Sequence, residues 1–123
     1  MNIFWTESVG DDWNEIRSEL DRAFQMSRTT AQAGESFVYV VHNDDLLGRR
    51  SAGNAMVATG LLSAARTAAI EGSRKGWTVN VIAHEEDADR EQVKRWAIWM
   101  LDSNGVTGEL IRLGSSHLGK ALP

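Results

Sequence analysis

Apolar and polar positions along this chain fall into blocks of two alternating kinds. Ile3–Trp5 is a short apolar run, and residues 7–12 break it with Gly10 and acidic side chains, so a strand is followed by a loop. From Trp13 the apolar positions recur at Ile16, Leu20, Ala23 and Phe24, with Ser27 in the same row. Glu15, Arg17, Glu19, Asp21 and Arg22 take the other side. That spacing predicts an amphipathic helix, opened by Asp11 or Asp12 as N-cap and ended near Gly34, a natural left-handed cap. Residues 36–42, SFVYVVH, are β-branched and aromatic without alternation, the pattern of a strand buried on both faces in a parallel sheet. NDDLLGRR then reads as a loop.

Residues 51–83 carry the strongest pattern. A long helix is predicted over about Ser51 to Arg74, with Met56, Leu61, Ala64, Ala65, Ala68 and Ala69 on one face. Gly53, Gly60 and Gly72 inside it cost roughly 1 kcal/mol each against Ala. Close approach of another backbone would offset that cost. Gly76 ends the helix, and Trp77–Ala83 reads as a second buried strand. The acidic loop HEEDAD leads, through Asp87 or Asp89 as cap, into a third helix ending at Asp102. Its wide stripe of Val93, Trp96, Ala97, Trp99, Met100 and Leu101 implies cover on more than one side. A final short strand spans Glu109–Leu113. The order β-α-β-α-β-α-β predicts an α/β fold, a parallel sheet of about four strands with three main helices, in one domain over residues 1–123.

Composition narrows the function classes. The 123 residues are 42% hydrophobic and 24% charged, ordinary for a soluble globular domain. A formal charge of −4 leaves no electrostatic footprint for nucleic acid. No stretch approaches the roughly 20 apolar residues of a membrane span, and the N-terminus lacks the basic region of a signal peptide. The cytoplasm is the expected compartment. There is no cysteine, so disulfide and thiol chemistry are excluded. The five tryptophans are read as core or interface fillers.

Three stretches together resemble the C-terminal half of a short-chain dehydrogenase/reductase. RTAAIEGSRKGWTVNVIA (66–83) is similar to the segment joining that family's active-site helix to its sixth strand. GVTGELIRLGSS (105–116) resembles its seventh-strand motif, and DDWNEIRSELDRAFQMSR (11–28) the helix after its fourth strand. The resemblance implies a truncated Rossmann-like fold. It also implies losses. The family's first three strands have no counterpart here, nor does the Gly-rich turn that seats a dinucleotide pyrophosphate. Counting back from Glu71 and Gly76, the family's catalytic Tyr falls on Asn54 and its Lys on Ala58. Its Ser falls near Val41 or His42, and its helix Asn near Ser18. Hydride transfer needs a bound nicotinamide and a tuned acid. Asn54 has no titratable proton, and the only tyrosine, Tyr39, lies in a predicted buried strand. No dehydrogenase activity and no cofactor are expected.

Other chemistry is weak. The acids around His84 could ligate a metal, yet consecutive loop residues rarely converge on one point, and a solvated helix-capping loop explains them better. Arg49 and Arg50 could hold an anion or be solvated loop charges. Ser115, Ser116 and His117 supply a nucleophile and a base type, but adjacency along the chain does not make a triad. His42 with Asp44, at the C-terminal end of a central strand where open α/β sheets place ligands, is the best remaining catalytic pair.

The resemblance also implies that what remains is the assembly surface. The family pairs the two helices matching residues 11–33 and 51–75 with those of a neighbouring subunit, and uses the third helix and last strand for another two-fold contact. The expectation is a pseudoenzyme subunit that forms a homo-oligomer, or a hetero-oligomer with a full-length short-chain dehydrogenase. Trp13, Phe24, Met56, Leu61, Ala65, Ala68, Trp96 and Trp99 are its expected interface residues. The alternative is a small-molecule-binding protein or enzyme with a repurposed crevice built from His42, Asn43, Asp44, Asn54 and His84. Right-handed crossovers running one way along a sheet put consecutive helices on one face, whereas the resembled family puts the third helix on the other.

Overall fold

Strands form where apolar runs lack alternation, and helices where the period is three to four. In the computed structural model, which describes residues 2–115, the elements are β1 (Ile3–Trp5), α1 (Trp13–Gln32), β2 (Phe37–His42), α2 (Asn43–Leu46), α3 (Ala52–Ser73), β3 (Val79–His84), α4 (Arg90–Asp102) and β4 (Leu110–Leu113). The strands make one sheet in the order β1-β2-β3-β4, and every neighbouring pair is parallel. This is the truncated Rossmann-like α/β architecture expected from the sequence. β2 and β3 pair over their whole length, from Phe37 opposite Val79 to His42 opposite His84. All six residues of β2 are buried, which is why its sequence does not alternate.

The caps follow the residue chemistry. Ser51 Oγ accepts from the Asn54 amide at 3.1 Å, and Asp89 Oδ1 accepts from the Glu91 amide at 3.1 Å. Asp12 occupies the N-cap position of α1, but its side chain makes no capping bond. Gly34 follows the end of α1 at φ 71°, where a Cβ would be strained. Residues 43–46, expected as loop, wind into the single turn α2, because the His42 ring caps it by accepting from the Asp44 amide.

The sheet separates two cores. On one face α1 and α3 cover Phe37, Tyr39, Val41, Val79, Val81 and Ala83. On the other, Val93, Ala97 and Met100 of α4 pack on Val38, Val40 and Ile82. All three crossovers advance in the same direction along the sheet, yet the third passes over the opposite face. The β3–α4–β4 connection therefore has the opposite hand to the first two, an exception to the right-handed rule. Both faces are covered as a result.

Several side chains sit differently from their periodicity. Trp13 and Phe24 were expected on the inner stripe of α1 but are 56% and 59% exposed. Glu19, expected in water, is only 5% exposed. Leu61 and Ala65, expected at an interface, are 4% and 1% exposed inside the chain's own core, so they have no surface to offer a partner. Ala68 is half-buried against that core. Met56, Trp96 and Trp99 are exposed. Among the described residues no helix is long and apolar enough to cross a membrane.

Candidate functional site

Between Trp5 and Trp13 the chain must cross the N-terminal end of α3, and side chains from two helices fasten it there. The Glu7 amide donates to Glu19 Oε2 at 2.6 Å, the Val9 amide to Asn54 Oδ1 at 2.8 Å, and the Gly10 amide to Glu15 Oε2 at 2.9 Å. Asn54 Nδ2 also donates to Ser8 Oγ at 3.3 Å, and the Gly53 amide donates to Asp11 Oδ1 at 3.2 Å. The approach is close enough that a Cβ on Gly53 would lie 2.2 Å from the Gly10 carbonyl oxygen. Asn54, at the position the resemblance gives to a catalytic Tyr, is thus buried and spent on holding the loop. Ala58 is buried one turn further on. The void they share with Thr6, Glu7, Asp45 and Val57 has no room for a water molecule.

Glu19 is tolerated inside because its acceptors are used. Arg22 donates to it through Nε at 3.0 Å and Nη2 at 2.9 Å. The same Nη2 reaches the Trp5 carbonyl at 2.9 Å, and the guanidinium lies 4.2 Å from the Phe4 ring centroid. The hydrogen bond to Glu19 raises the Arg22 pKa above its ordinary value against the cost of burial, so the guanidinium stays charged. Ser18 lines an open cavity of about 490 Å³ beside this network. The Tyr39 hydroxyl is 2.6 Å from Ser27 Oγ, and burial pushes the phenol pKa up, away from any acid–base role near neutral pH.

At the C-terminal ends of β2 and β3, His42 and His84 face each other in register, their rings 5.3 Å apart. After β2 the chain turns toward the α3 face, and after β3 toward the α4 face. Such a divergence opens a crevice in an α/β sheet. Here imidazoles and their partners fill it. His42 Nδ1 accepts from the Asp44 amide at 3.2 Å, so the ring proton sits on Nε2 and is donated to Glu86 Oε2 at 2.7 Å. Both nitrogens are engaged, and no lone pair is left for a general base. The expected His42–Asp44 pair is therefore a backbone contact, and the Asp44 carboxylate points instead to Arg49 at 3.8 Å.

The hydrogen bond from His42 is the largest cause lowering the Glu86 pKa. Burial lowers the His84 pKa, against a hydrogen bond from its Nδ1 to the Glu85 carbonyl at 3.1 Å. Asp45 is buried and held by Arg50 through two bonds of 2.7 and 2.9 Å, which raise the Arg50 pKa. Arg50 is thus an internal partner, not an anion holder. Asn43 is fully buried, and its amide makes no hydrogen bond among the described residues. Of the acidic loop, Glu86 goes to His42, Asp87 accepts from Ser115 Oγ, and Asp89 caps α4. Among the described residues no three His, Asp or Glu side chains converge as metal ligands. Ser116 and His117 lie outside the described residues.

Sequence reasoning missed the roles of Glu19 and Arg22, and it weighed Glu86 with the other acids around His84 without seeing its pairing with His42. Only the Glu19–Arg22 spacing of three gave a signal, and that spacing is equally common on wet helix faces.

No family model matches this chain, and no curated protein matches it. Solved structures do. A 3-hydroxyacyl-CoA dehydrogenase type-2 from Mycobacterium avium superposes with a TM-score of 0.72 at 15% identity, over 91% of this chain and 66% of that one. A citronellol catabolism dehydrogenase from Pseudomonas aeruginosa gives 0.69 at 18% identity, over 90% and 59%. The chain spans less than two thirds of the length of either. Identities this low establish a shared dehydrogenase fold and leave activity to be argued from the residues.

Proposed function

We propose that this chain is a non-catalytic, short-chain-dehydrogenase-like subunit that acts by assembly, with itself or with a full-length dehydrogenase. The observation that carries this reading is the fastened loop between β1 and α1. Where the resemblance would place a tyrosine acid and its lysine, Asn54 and Ala58 are buried, and Asn54 spends both its polar atoms on Ser8 and Val9. Neither side chain titrates near neutral pH, so neither can protonate a carbonyl oxygen. The exposed apolar surface supports assembly as the remaining role. Trp13 and Phe24 on α1 and Met56 on α3 share one side of the molecule, while Trp96, Ile98 and Trp99 on α4 share the other.

Two measurements test this. Native mass spectrometry of the purified chain, alone and mixed with a full-length short-chain dehydrogenase, should give a defined oligomer or complex. Titration calorimetry with NAD and NADP should give no binding heat. A chain that stays monomeric in both mixtures, or one that binds a nicotinamide nucleotide, would overturn the reading.

A further inference from the structure

We infer that the free edge of the sheet, along β1, is a docking site for an extended acidic segment of another protein, which adds there as a further strand and sets a carboxylate against Arg90. This is independent of the assembly reading above, since a chain that stays monomeric can still take a strand on this edge.

The backbone shows which groups are on offer. β1 ends the sheet, with β2 on one side of it and no strand on the other. The Val38 amide donates to the Asn2 carbonyl and the Thr6 amide to the Val40 carbonyl, each at 3.0 Å. Backbone direction alternates along a strand, so Asn2, Phe4 and Thr6 turn their polar groups to β2, and Ile3 and Trp5 turn theirs outward. Arg22 Nη2 already donates to the Trp5 carbonyl at 2.9 Å. The Ile3 amide, the Ile3 carbonyl and the Trp5 amide remain, a row that an added strand can pair with. A trough of about 420 Å³ follows this edge, lined by Arg22 and Met26 from α1 and by Arg90 from α4.

Side-chain chemistry selects the occupant. Residues opposite each other on neighbouring strands point to the same face. Phe4 belongs to the layer under α1 and α3, and Ile3 and Trp5 pack against the layer under α4. An added residue opposite Phe4 therefore lands beside Phe4 and Met26, where Glu19 and Glu7 already balance the Arg22 charge. An apolar side chain fits that position. Its neighbours along the added strand, opposite Ile3 and Trp5, come up on the α4 face beside Arg90. The Arg90 guanidinium lies over the Trp5 ring, 3.9 Å from its centroid, and forms no ion pair among the described residues. A cation seated on an aromatic ring, exposed and unpaired beside an open strand edge, calls for a carboxylate on the incoming strand. A second copy of β1 is the wrong occupant. Paired across a two-fold it brings two Arg90 side chains to the same face, and Ile3–Trp5 supplies no acid to separate them.

Fluorescence anisotropy tests this, with the whole chain titrated into dye-labelled Glu-Val-Glu-Val-Glu-Val-amide. Lys-Val-Lys-Val-Lys-Val-amide is the probe of opposite charge, and a urea melt on every variant establishes that it folds. The acidic peptide should bind saturably and about tenfold or more tighter than the basic one. Arg90→Glu should reverse that preference. Ile3→Pro removes one outward amide and leaves the ladder to β2 in place, so it should weaken the acidic peptide by about fivefold to tenfold. Amide exchange of the wild type gives a readout that needs no variant, because bound acidic peptide should slow exchange at Ile3 and Trp5. No saturable binding of the acidic peptide overturns the proposal. Binding that Arg90→Glu leaves unchanged overturns the acidic occupant, and binding that leaves exchange at Ile3 and Trp5 as it was overturns the edge as its seat.

Discussion

Gly53 and Gly60 lie in the same helix, two turns apart, and the structure gives replacement by alanine opposite signs at the two. Alanine in a helix interior is favoured over glycine by about 1 kcal/mol. At Gly60 the nearest atom to a new Cβ would be Leu20 Cδ2 at 4.0 Å, an ordinary contact. Gly60→Ala should therefore stabilise the fold by about 0.5–1 kcal/mol. At Gly53 the same Cβ would meet the Gly10 carbonyl oxygen at 2.2 Å and Ile16 Cδ1 at 3.2 Å. The loop must then move, and overpacking of this kind costs about 1–3 kcal/mol. Moving it also stretches the bonds from the Val9 amide to Asn54 and from the Gly10 amide to Glu15, each worth about 1 kcal/mol. After subtracting the helix gain, Gly53→Ala should destabilise by about 1–3 kcal/mol. Urea unfolding at equal, low protein concentration separates the two. With a slope of about 1–3 kcal/mol per molar, the two midpoints should differ by roughly 0.5–4 M. If Gly53→Ala stabilises the chain as Gly60→Ala does, the loop does not lie on the end of α3, and the account of Asn54 as its fastener fails with it.

Glu19→Ala should cost about 1–2 kcal/mol in the same assay, because it strands the part-buried Glu7 amide and removes the partner of the exposed Arg22, and Glu19→Gln should cost less because it still accepts from that amide. Gly72→Ala should destabilise like Gly53→Ala, since its Cβ would fall 2.4 Å from Trp77 Cε3 and 2.5 Å from the Trp77 carbonyl oxygen. Acid should weaken the fold in two stages. His84 has a pKa lowered from 6.5, so the unfolded chain takes up the proton first and stability falls as pH drops below that value. Glu86, lowered from 4.5, adds a second loss below its own ordinary value. Urea melts at pH 7.5 and 5.5 should show the first stage, and His84→Gln should flatten it.

Strand positions were legible because burial on both faces leaves no room for polar residues, and residues 36–42 and 77–83 state this directly. The caps at Ser51 and Asp89 were legible for an equally local reason, a short side chain reaching an amide two or three residues on. What could not be read was direction. On α1 the rows through Trp13 and Phe24 and through Ile16 and Ala23 are adjacent, and periodicity cannot say which one a second helix covers. Glu19 was misplaced because its burial depends on the Glu7 amide, twelve residues away along the chain. Leu61 and Ala65 looked like interface because small and apolar residues suit a core and a contact equally well. His42 was singled out by its place at a strand end, but its partner Glu86 comes from the loop after the next strand, which pattern alone does not bring near.

The third crossover, passing over the opposite face from the first two, has a consequence for how the molecule opens. Among the described residues, seventeen buried apolar side chains form the layer on the α1 and α3 side, against six on the α4 side. Helix α4 and β4 meet the rest mainly through β3 and that smaller layer, with Leu110 against the larger layer and Arg90 over the Trp5 ring as the lesser contacts, so they can detach as a unit at less cost than opening the larger layer. Amide exchange should then fall into two tiers, with α4 and β4 exchanging through a partial opening and β2 and β3 only through complete unfolding.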